Sequence, residues 1–307
     1  MAVTAAMVKE LRELSGAGMS ACKNALVEAN GDITRASEIL REKGLAAAAK
    51  KAGRIAAEGL VMTALTDDRK KGAIVEVNSE TDFVAKNEDF VGFVKNVAVQ
   101  ALASSAGTVE EMLAEKWTAD ASVTVQDVLT QKIATIGENI GIRRMERYSV
   151  TGNGLIVDYI HGGGRVGVML EMEADNAADA VIEAGRNVCM QIAAMSPQFL
   201  DRNSVPADYL EKEKEILTQQ TMAEGKPANI AEKMVEGRLS KMLKEICLVD
   251  QEYVKDGDLT VATYLDTVAK AVGGKVAITK FVRYEKGEGI EKKEENFAEE
   301  VSKAMQG

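Results

Sequence analysis

The sequence predicts an α+β fold, with a helical N-terminal module and two copies of one unit built on a small antiparallel sheet. Apolar residues recur at helical spacing up to residue 44, and strand-like runs begin near Glu58. Residues 124–148 also align without a gap with residues 260–284. We therefore expect a three-helix module with its linker, two core units and a C-terminal helical module, at residues 1–56, 57–150, 151–286 and 287–307.

The composition narrows the functional classes. The 307 residues suffice for about two domains, and 46% apolar with 28% charged residues is typical of a packed soluble protein. The net charge of −10 argues against a direct nucleic-acid partner, since phosphate binding needs a basic face. No apolar run is long enough for a membrane span, and Met1–Thr4 lacks a signal-peptide profile.

The numbers of cysteine and histidine residues exclude further classes of site. Three widely spaced cysteines suit a reducing compartment, so we expect a cytoplasmic protein without disulfides. A single histidine, His161, leaves almost no basis for a metal site or a serine-histidine-aspartate triad. We expect no metal, no cofactor and no enzymatic chemistry.

The N-terminal residues predict three short helices. Thr4 can cap the first, which carries Leu11, and a glycine-rich loop leads to Met19. Gly44 is a suitable end for the third helix, so residues 45–56 are predicted as a partly helical linker. Such a small unit is marginal alone and is typical of a docking module. Met19 is either an exposed contact or filler of the small core.

The first core unit begins with a predicted hairpin of residues 60–77, followed by a strand-to-helix junction. Thr81 or Asp82 can cap the new helix, and Phe83 follows at once. Phe83 shares a helical stripe with Phe90, so ordinary core packing competes with an exposed contact role. Asp82 can pair with Lys86 four residues later. A polar connection, a helix ending at Gly137 and a strand over 142–150 complete the unit.

The second unit repeats the first. The ungapped stretch has seven identical pairs, and residues 155–172 resemble the first hairpin. At the position of Phe83, the run 174–178 has no aromatic residue. The second unit instead has an insert at about 197–247, predicted as an antiparallel helical hairpin. Its apolar positions Met234, Val235, Leu239 and Met242 either face a partner or hold the two helices together.

Two further segments allow more than one interpretation. His161 precedes Gly162-Gly163-Gly164, which is either a plain hairpin turn or a contact loop presenting the histidine. The tail from Glu291 to Met305 is predicted as a polar helix that docks on the body or on a partner. The sequence has no P-loop, GxGxxG motif or nucleophile elbow.

Several motifs together resemble the bacterial elongation factor Ts family, along the whole chain. The resemblance rests on Asn78–Asn87, on Gly16–Met19 with Cys22-Lys23, on Ile136–Ile140 and on Ala231–Arg238. It implies a guanine-nucleotide exchange factor that binds elongation factor Tu in its GDP-bound and nucleotide-free forms. It also implies that the N-terminal module is ubiquitin-associated-like.

The resemblance also implies which residues touch elongation factor Tu. The Asp82-Phe83 pair, with Thr81 and Val84 beside it, would lie against the nucleotide domain and disturb its magnesium and phosphate site. The further implied contacts are Ile136, Gly137, His161, Leu11, Met19, Met234 and Val235. A homodimer through the helical hairpin, or a 2:2 complex, stays open. A scaffold that recruits a partner without affecting nucleotide is the competing interpretation.

Overall fold

The N-terminal module consists of three helices, as the sequence predicts. The structure, a computed structural model, describes residues 3–176, 178–224 and 228–291. In the module, the Thr4 hydroxyl accepts the Met7 N–H, and Gly16 ends the first helix with φ of 62°. The module has its own small core, which includes Leu11, Cys22 and Leu26. The three helices are α1 (Ala5–Ser15), α2 (Met19–Glu28) and α3 (Ile33–Lys51).

The third helix is longer than predicted. Gly44 does not end α3, which continues through most of the expected linker to Lys51. A Cβ at Gly44 would lie 3.7 Å from the side chains of Thr130 and Ala134 on α7 (Val125–Ile136), so the glycine allows close helix packing. Ala48 also packs on the first core unit. The module is therefore joined to the body by a docked helix.

The first core unit is a three-stranded antiparallel sheet with helices on one face. Its strands stand in the order β1 (Glu58–Leu65), β2 (Lys71–Ser79) and β5 (Gly141–Ser149). The predicted polar connection over 104–121 is wrong in detail, because it contains a capped helix and a short hairpin. The remaining elements are α4 (Asp82–Ala85), α5 (Glu88–Ala103), α6 (Val109–Ala114), β3 (Lys116–Trp117) and β4 (Asp120–Thr124).

The second core unit has the same topology, which confirms the repeat. Leu155 lies opposite Met172 in its hairpin, as Leu60 lies opposite Val77 in the first. The last strand pairs with the second hairpin strand in both units. Its elements are β6 (Gly154–His161), β7 (Val166–Ala174), α8 (Asp179–Met195), β8 (Glu252–Tyr253), β9 (Asp256–Thr260), α11 (Val261–Val272) and β10 (Val276–Glu285).

The insert forms the predicted helical hairpin, α9 (Ala207–Ala223) and α10 (Ala228–Ile246). An ion pair between Arg238 and Glu224 links the two helices, with Nη2 2.8 Å from Oε1. Within the described ranges, none of the helices combines the length and apolar character that crossing a bilayer requires. The predicted tail helix extends beyond Glu291 and so lies outside the described residues.

The two sheets pack against each other through their inner faces, and the helices cover their outer faces. Alternate strand residues such as Val61, Ile74, Ile156 and Met169 form the shared layer. Tyr148 and Tyr284 flank that layer at equivalent positions of the two units. Lys280 lies over the Tyr148 ring at 4.0 Å and Arg144 lies over the Tyr284 ring at 4.1 Å, again at equivalent positions. The interface is thus pseudo-symmetric.

Residues 286–290, here called the strap, follow β10 and lie against the first unit. The sequence predicts a flexible break over residues 285–289, but the backbone there is held at several points. Gly287 donates its N–H to the buried Glu76 carboxylate at 2.7 Å, and Lys286 pairs with Glu58. Arg143 donates to the Glu288 carbonyl at 2.5 Å. The strap therefore fastens the end of the second unit to the first.

Candidate functional site

The aromatic corner, residues 81–84, stands apart from the helix that follows it. Thr81 caps the one-turn helix α4, while the Asn87 side chain caps α5 separately by accepting from Asp89 and Phe90 N–H groups. The break between the two helices removes Phe83 from the stripe that contains Phe90. Phe83 is 81% exposed, whereas Phe90 is fully buried. This decides between the two interpretations of Phe83 in favour of an exposed position.

Asp82 lies beside this ring on the surface. Its carboxylate accepts from Lys86 Nζ at 2.6 Å, which is the pairing that the spacing predicts. The hydrogen bond from Lys86 holds the pKa of Asp82 below its usual value, with further help from the charges of Lys86 and Lys286. The corner therefore presents an ionised carboxylate next to an unburied aromatic ring. Val84, which follows Phe83, packs partly on the first core.

The Ile136 loop, residues 136–139, is hydrogen-bonded to the aromatic corner. Glu138 Oε2 accepts the N–H groups of Glu80 and Thr81 at 3.1 and 3.0 Å. Glu138 Oε1 accepts from the Thr81 hydroxyl at 2.6 Å. In return, Glu80 Oε1 accepts the Asn139 N–H at 2.6 Å. The structure thus brings together six predicted site residues, Thr81, Asp82, Phe83, Val84, Ile136 and Gly137, in two adjoining loops.

The glycine turn, residues 161–165, presents His161 on the surface of the second unit. Gly162, Gly163 and Gly164 all have positive φ, which explains the three glycines. The Gly164 carbonyl accepts the Val61 N–H at 2.8 Å, so the turn rests on β1 of the first unit. The Tyr159 hydroxyl and His161 Nδ1 lie 2.9 Å apart.

The strap connects the glycine turn with the neighbourhood of the aromatic corner. Lys286 donates its N–H to the Arg165 carbonyl at 2.9 Å, and Arg165 pairs with Glu285. The charge of the same Lys286 acts on Asp82. The strap is thus hydrogen-bonded to the glycine turn of the second unit, and the charge of its Lys286 acts on Asp82 of the first unit.

The other predicted contact residues are dispersed. Met19 is exposed at the start of α2, as a contact residue requires. Leu11 is fully buried in the module core, and Val235 is only 3% exposed within the helical hairpin. Direct contact by these two side chains is therefore not supported, because both already pack inside the chain. Met234 is half-buried, so part of its side chain stays exposed.

The two loops bring an apolar side chain and charged groups together at the surface. Within the described ranges, no group of three histidine, cysteine or acidic side chains is placed to hold a metal ion. What the two loops present is an apolar ring, an ionised carboxylate and a rigid backbone. Sequence reasoning assigned no role to Glu80 and Glu138, because their partners are backbone N–H groups more than fifty residues away in the chain.

Comparison with known proteins covers the segments that form this site. The family model described as Elongation factor TS matches residues 80–288, which include the aromatic corner, the Ile136 loop and the glycine turn. A protein named elongation factor Ts from Clostridium perfringens is 58% identical over 301 residues, 98% of each chain. Namesakes from Clostridium kluyveri and Clostridium botulinum are 55% and 54% identical, each over 99% of both chains. This chain therefore belongs to the elongation factor Ts family.

Proposed function

We propose that this chain is a guanine-nucleotide exchange factor for elongation factor Tu in translation elongation. It binds the GDP form, promotes GDP release, and leaves when GTP binds. The observation that carries the proposal is the 81% exposure of Phe83 on a hydrogen-bonded corner. A large ring held out in water contributes little to the fold, so its use lies in a partner. This role needs no covalent chemistry and is consistent with a cytoplasmic protein.

The physical basis of exchange is competition between two ligands for one flexible partner. If the factor weakens GDP binding, then GDP must weaken binding of the factor by the same free energy. The factor must therefore favour a conformation of elongation factor Tu in which the nucleotide site is distorted. A rigid apolar wedge suits this requirement, because the Phe83 ring becomes buried only when the partner moves to receive it.

Asp82 adds an electrostatic contribution. A carboxylate brought close to bound GDP repels the phosphates and offers Mg²⁺ an alternative oxygen ligand. An aspartate is ionised at neutral pH at its usual pKa, and the hydrogen bond from Lys86 lowers the pKa of Asp82 further. Lys86 holds the carboxylate at 2.6 Å, so the charge is already oriented before the partner arrives. We propose that Asp82 and Phe83 act together on the magnesium and phosphate site.

The size of the expected effect follows from the area of Phe83 that becomes buried on binding. Full burial of a phenylalanine side chain stabilises a complex by up to about 3 kcal/mol. Nearly all of that area is still exposed in Phe83, so most of this free energy is available on binding. A loss of about 3 kcal/mol in the exchange transition state slows exchange about a hundredfold.

Stopped-flow release of a fluorescent GDP from elongation factor Tu tests the proposal. Wild-type chain should accelerate release strongly, and Phe83→Ala should reduce that acceleration about a hundredfold. Val99→Ala is the matched control, because Val99 is also exposed on the first unit but lies along α5, away from the corner. If GDP is released no faster than in buffer, the exchange function is refuted and the scaffold interpretation stands. If Phe83→Ala is fully active, the proposed role of the Phe83 ring as a wedge is refuted.

A further inference from the structure

We propose that Glu138 is a positioning residue that holds the aromatic corner in its contact conformation. The proposal rests on the proposed function, because the corner is taken to be the part that acts on elongation factor Tu. Glu138 does not itself carry the contact. It acts through Thr81, whose N–H and hydroxyl it accepts, and Thr81 in turn caps the helix that bears Phe83.

The geometry concentrates several donors on one carboxylate. Both oxygens of Glu138 are used, one by two consecutive N–H groups and the other by the Thr81 hydroxyl. Hydrogen bonds to an ionised acceptor are stronger than neutral ones. The corner needs such support, because α4 has a single turn and an isolated helix of that length is not stable in water.

The second core unit acts as an internal comparison. There, Asp175 accepts the Lys275 N–H at 2.6 Å, in the same way that Glu80 accepts the Asn139 N–H in the first unit. A carboxylate that accepts the N–H of this loop residue therefore occurs in both units and belongs to the shared fold. The position equivalent to Glu138 is Gly274, so the second unit folds without a counterpart of the Glu138 contacts.

The hydrogen bonds of Glu138 are thus present in the unit that has Phe83 and absent from the unit that lacks an aromatic residue there. The fold itself does not account for Glu138, since the second unit forms the same sheet and helices with glycine at that place. Support of the aromatic corner does account for it. Without Glu138 the corner would be ordered only on binding, which lowers productive association; we expect about tenfold slower exchange.

Two substitutions separate this role from a general loss of stability. Glu138→Ala removes all three acceptor contacts and should slow exchange about tenfold. Glu138→Gln should restore most of the rate, because its carbonyl oxygen still accepts the two N–H groups and its amide can donate to the Thr81 hydroxyl. Asp175→Ala, which removes the counterpart of Glu80 in the second unit, is the control for loss of such a carboxylate away from the aromatic corner, and it should exchange like wild type.

A double-mutant cycle with Phe83→Ala gives the decisive readout. If Glu138 acts through the ring, Glu138→Ala should cause little further loss once Phe83 is absent. The proposal is overturned if the two losses multiply, if Glu138→Ala exchanges at the wild-type rate while Phe83→Ala is slow, or if Glu138→Ala no longer folds by circular dichroism. Equal rates for wild type and Phe83→Ala would instead count against the contact role of Phe83, and wild-type release no faster than in buffer would count against the proposed function.

Discussion

The buried carboxylate of Glu76 should be the most sensitive single point in the contact between the two core units. Glu76 lies in β2 with no exposed surface, and it accepts from Arg143, Arg144, Asn78 and Gly287 at 2.5–3.1 Å. Glu76→Gln keeps the size of the side chain but removes the charge. It also turns an amide NH₂ towards groups that are themselves donors. We therefore expect a marked loss of stability with little change in packing volume.

The magnitude follows from the environment of the pair. Removing one partner of a buried ion pair costs about 3–5 kcal/mol. The two arginine side chains keep about 30% of their surface exposed, so they recover some hydration, and the lower end applies. At roughly 2 °C per kcal/mol for a chain of this size, the thermal midpoint of Glu76→Gln should fall by about 6 °C at neutral pH.

The pH dependence gives an independent check. Burial alone would raise the pKa of the Glu76 carboxyl, but hydrogen bonds from Asn78 and Gly287 and the charge of Arg144 outweigh it and lower the pKa. A carboxyl whose folded pKa is lowered stabilises the protein above its unfolded pKa, about 4.3, and this contribution is lost as pH falls through the folded pKa. The difference between wild type and Glu76→Gln should therefore shrink below about pH 4.

Thermal unfolding followed by circular dichroism from pH 7 to pH 3 measures both effects. Glu146→Gln is a suitable control, since Glu146 lies on the neighbouring strand β5 with its side chain exposed, and its midpoint should stay close to wild type. A Glu76→Gln midpoint equal to wild type at pH 7 would refute the reasoning. So would a difference that stays constant down to pH 3.

Two glycine substitutions should act in opposite directions. Gly287→Ala should destabilise the chain by about 2 kcal/mol or more, because φ of Gly287 is 69° and the new Cβ would clash with the Ala57 carbonyl oxygen. An unchanged thermal midpoint would contradict the described position of the strap. Gly44→Ala should instead stabilise the chain by up to about 1 kcal/mol and so raise the midpoint, because the new Cβ would lie 3.7 Å from its neighbours on α7. A lowered midpoint would contradict the described docking of α3 on α7.

Much of this architecture could be predicted from periodicity and from the repeat. The hairpins, the inserted helix pair and the strands after Gly137 and Gly273 follow from local patterns, which the structure confirms. The exposure of Phe83 was also predictable in principle. Asn87 is a good helix cap two residues ahead of Asp89, and a second helix start there removes Phe83 from the stripe of α5.

Other features depend on contacts that a local pattern does not contain. Gly44 has the appearance of a helix end, but α3 continues through it and packs beside Thr130 and Ala134 of α7. The segment before β4 was predicted as a polar connection although Thr108 and Glu111 form a capping box, a signal that the sequence does contain. The role of Glu138 depends on the N–H groups of Glu80 and Thr81, which the pairing of β2 with β5 brings close to the Ile136 loop.

The bond between Gly287 and Glu76 also has a consequence for the order of synthesis. The two residues are 211 positions apart, so at about 5–20 residues per second the carboxylate emerges about 10 to 40 s before this donor exists. During that interval the first unit has a buried acid whose set of partners is incomplete. Completion of the first unit therefore requires translation to have passed residue 287. A factor of translation elongation thus completes the packing of its first unit only after its second unit has been synthesised.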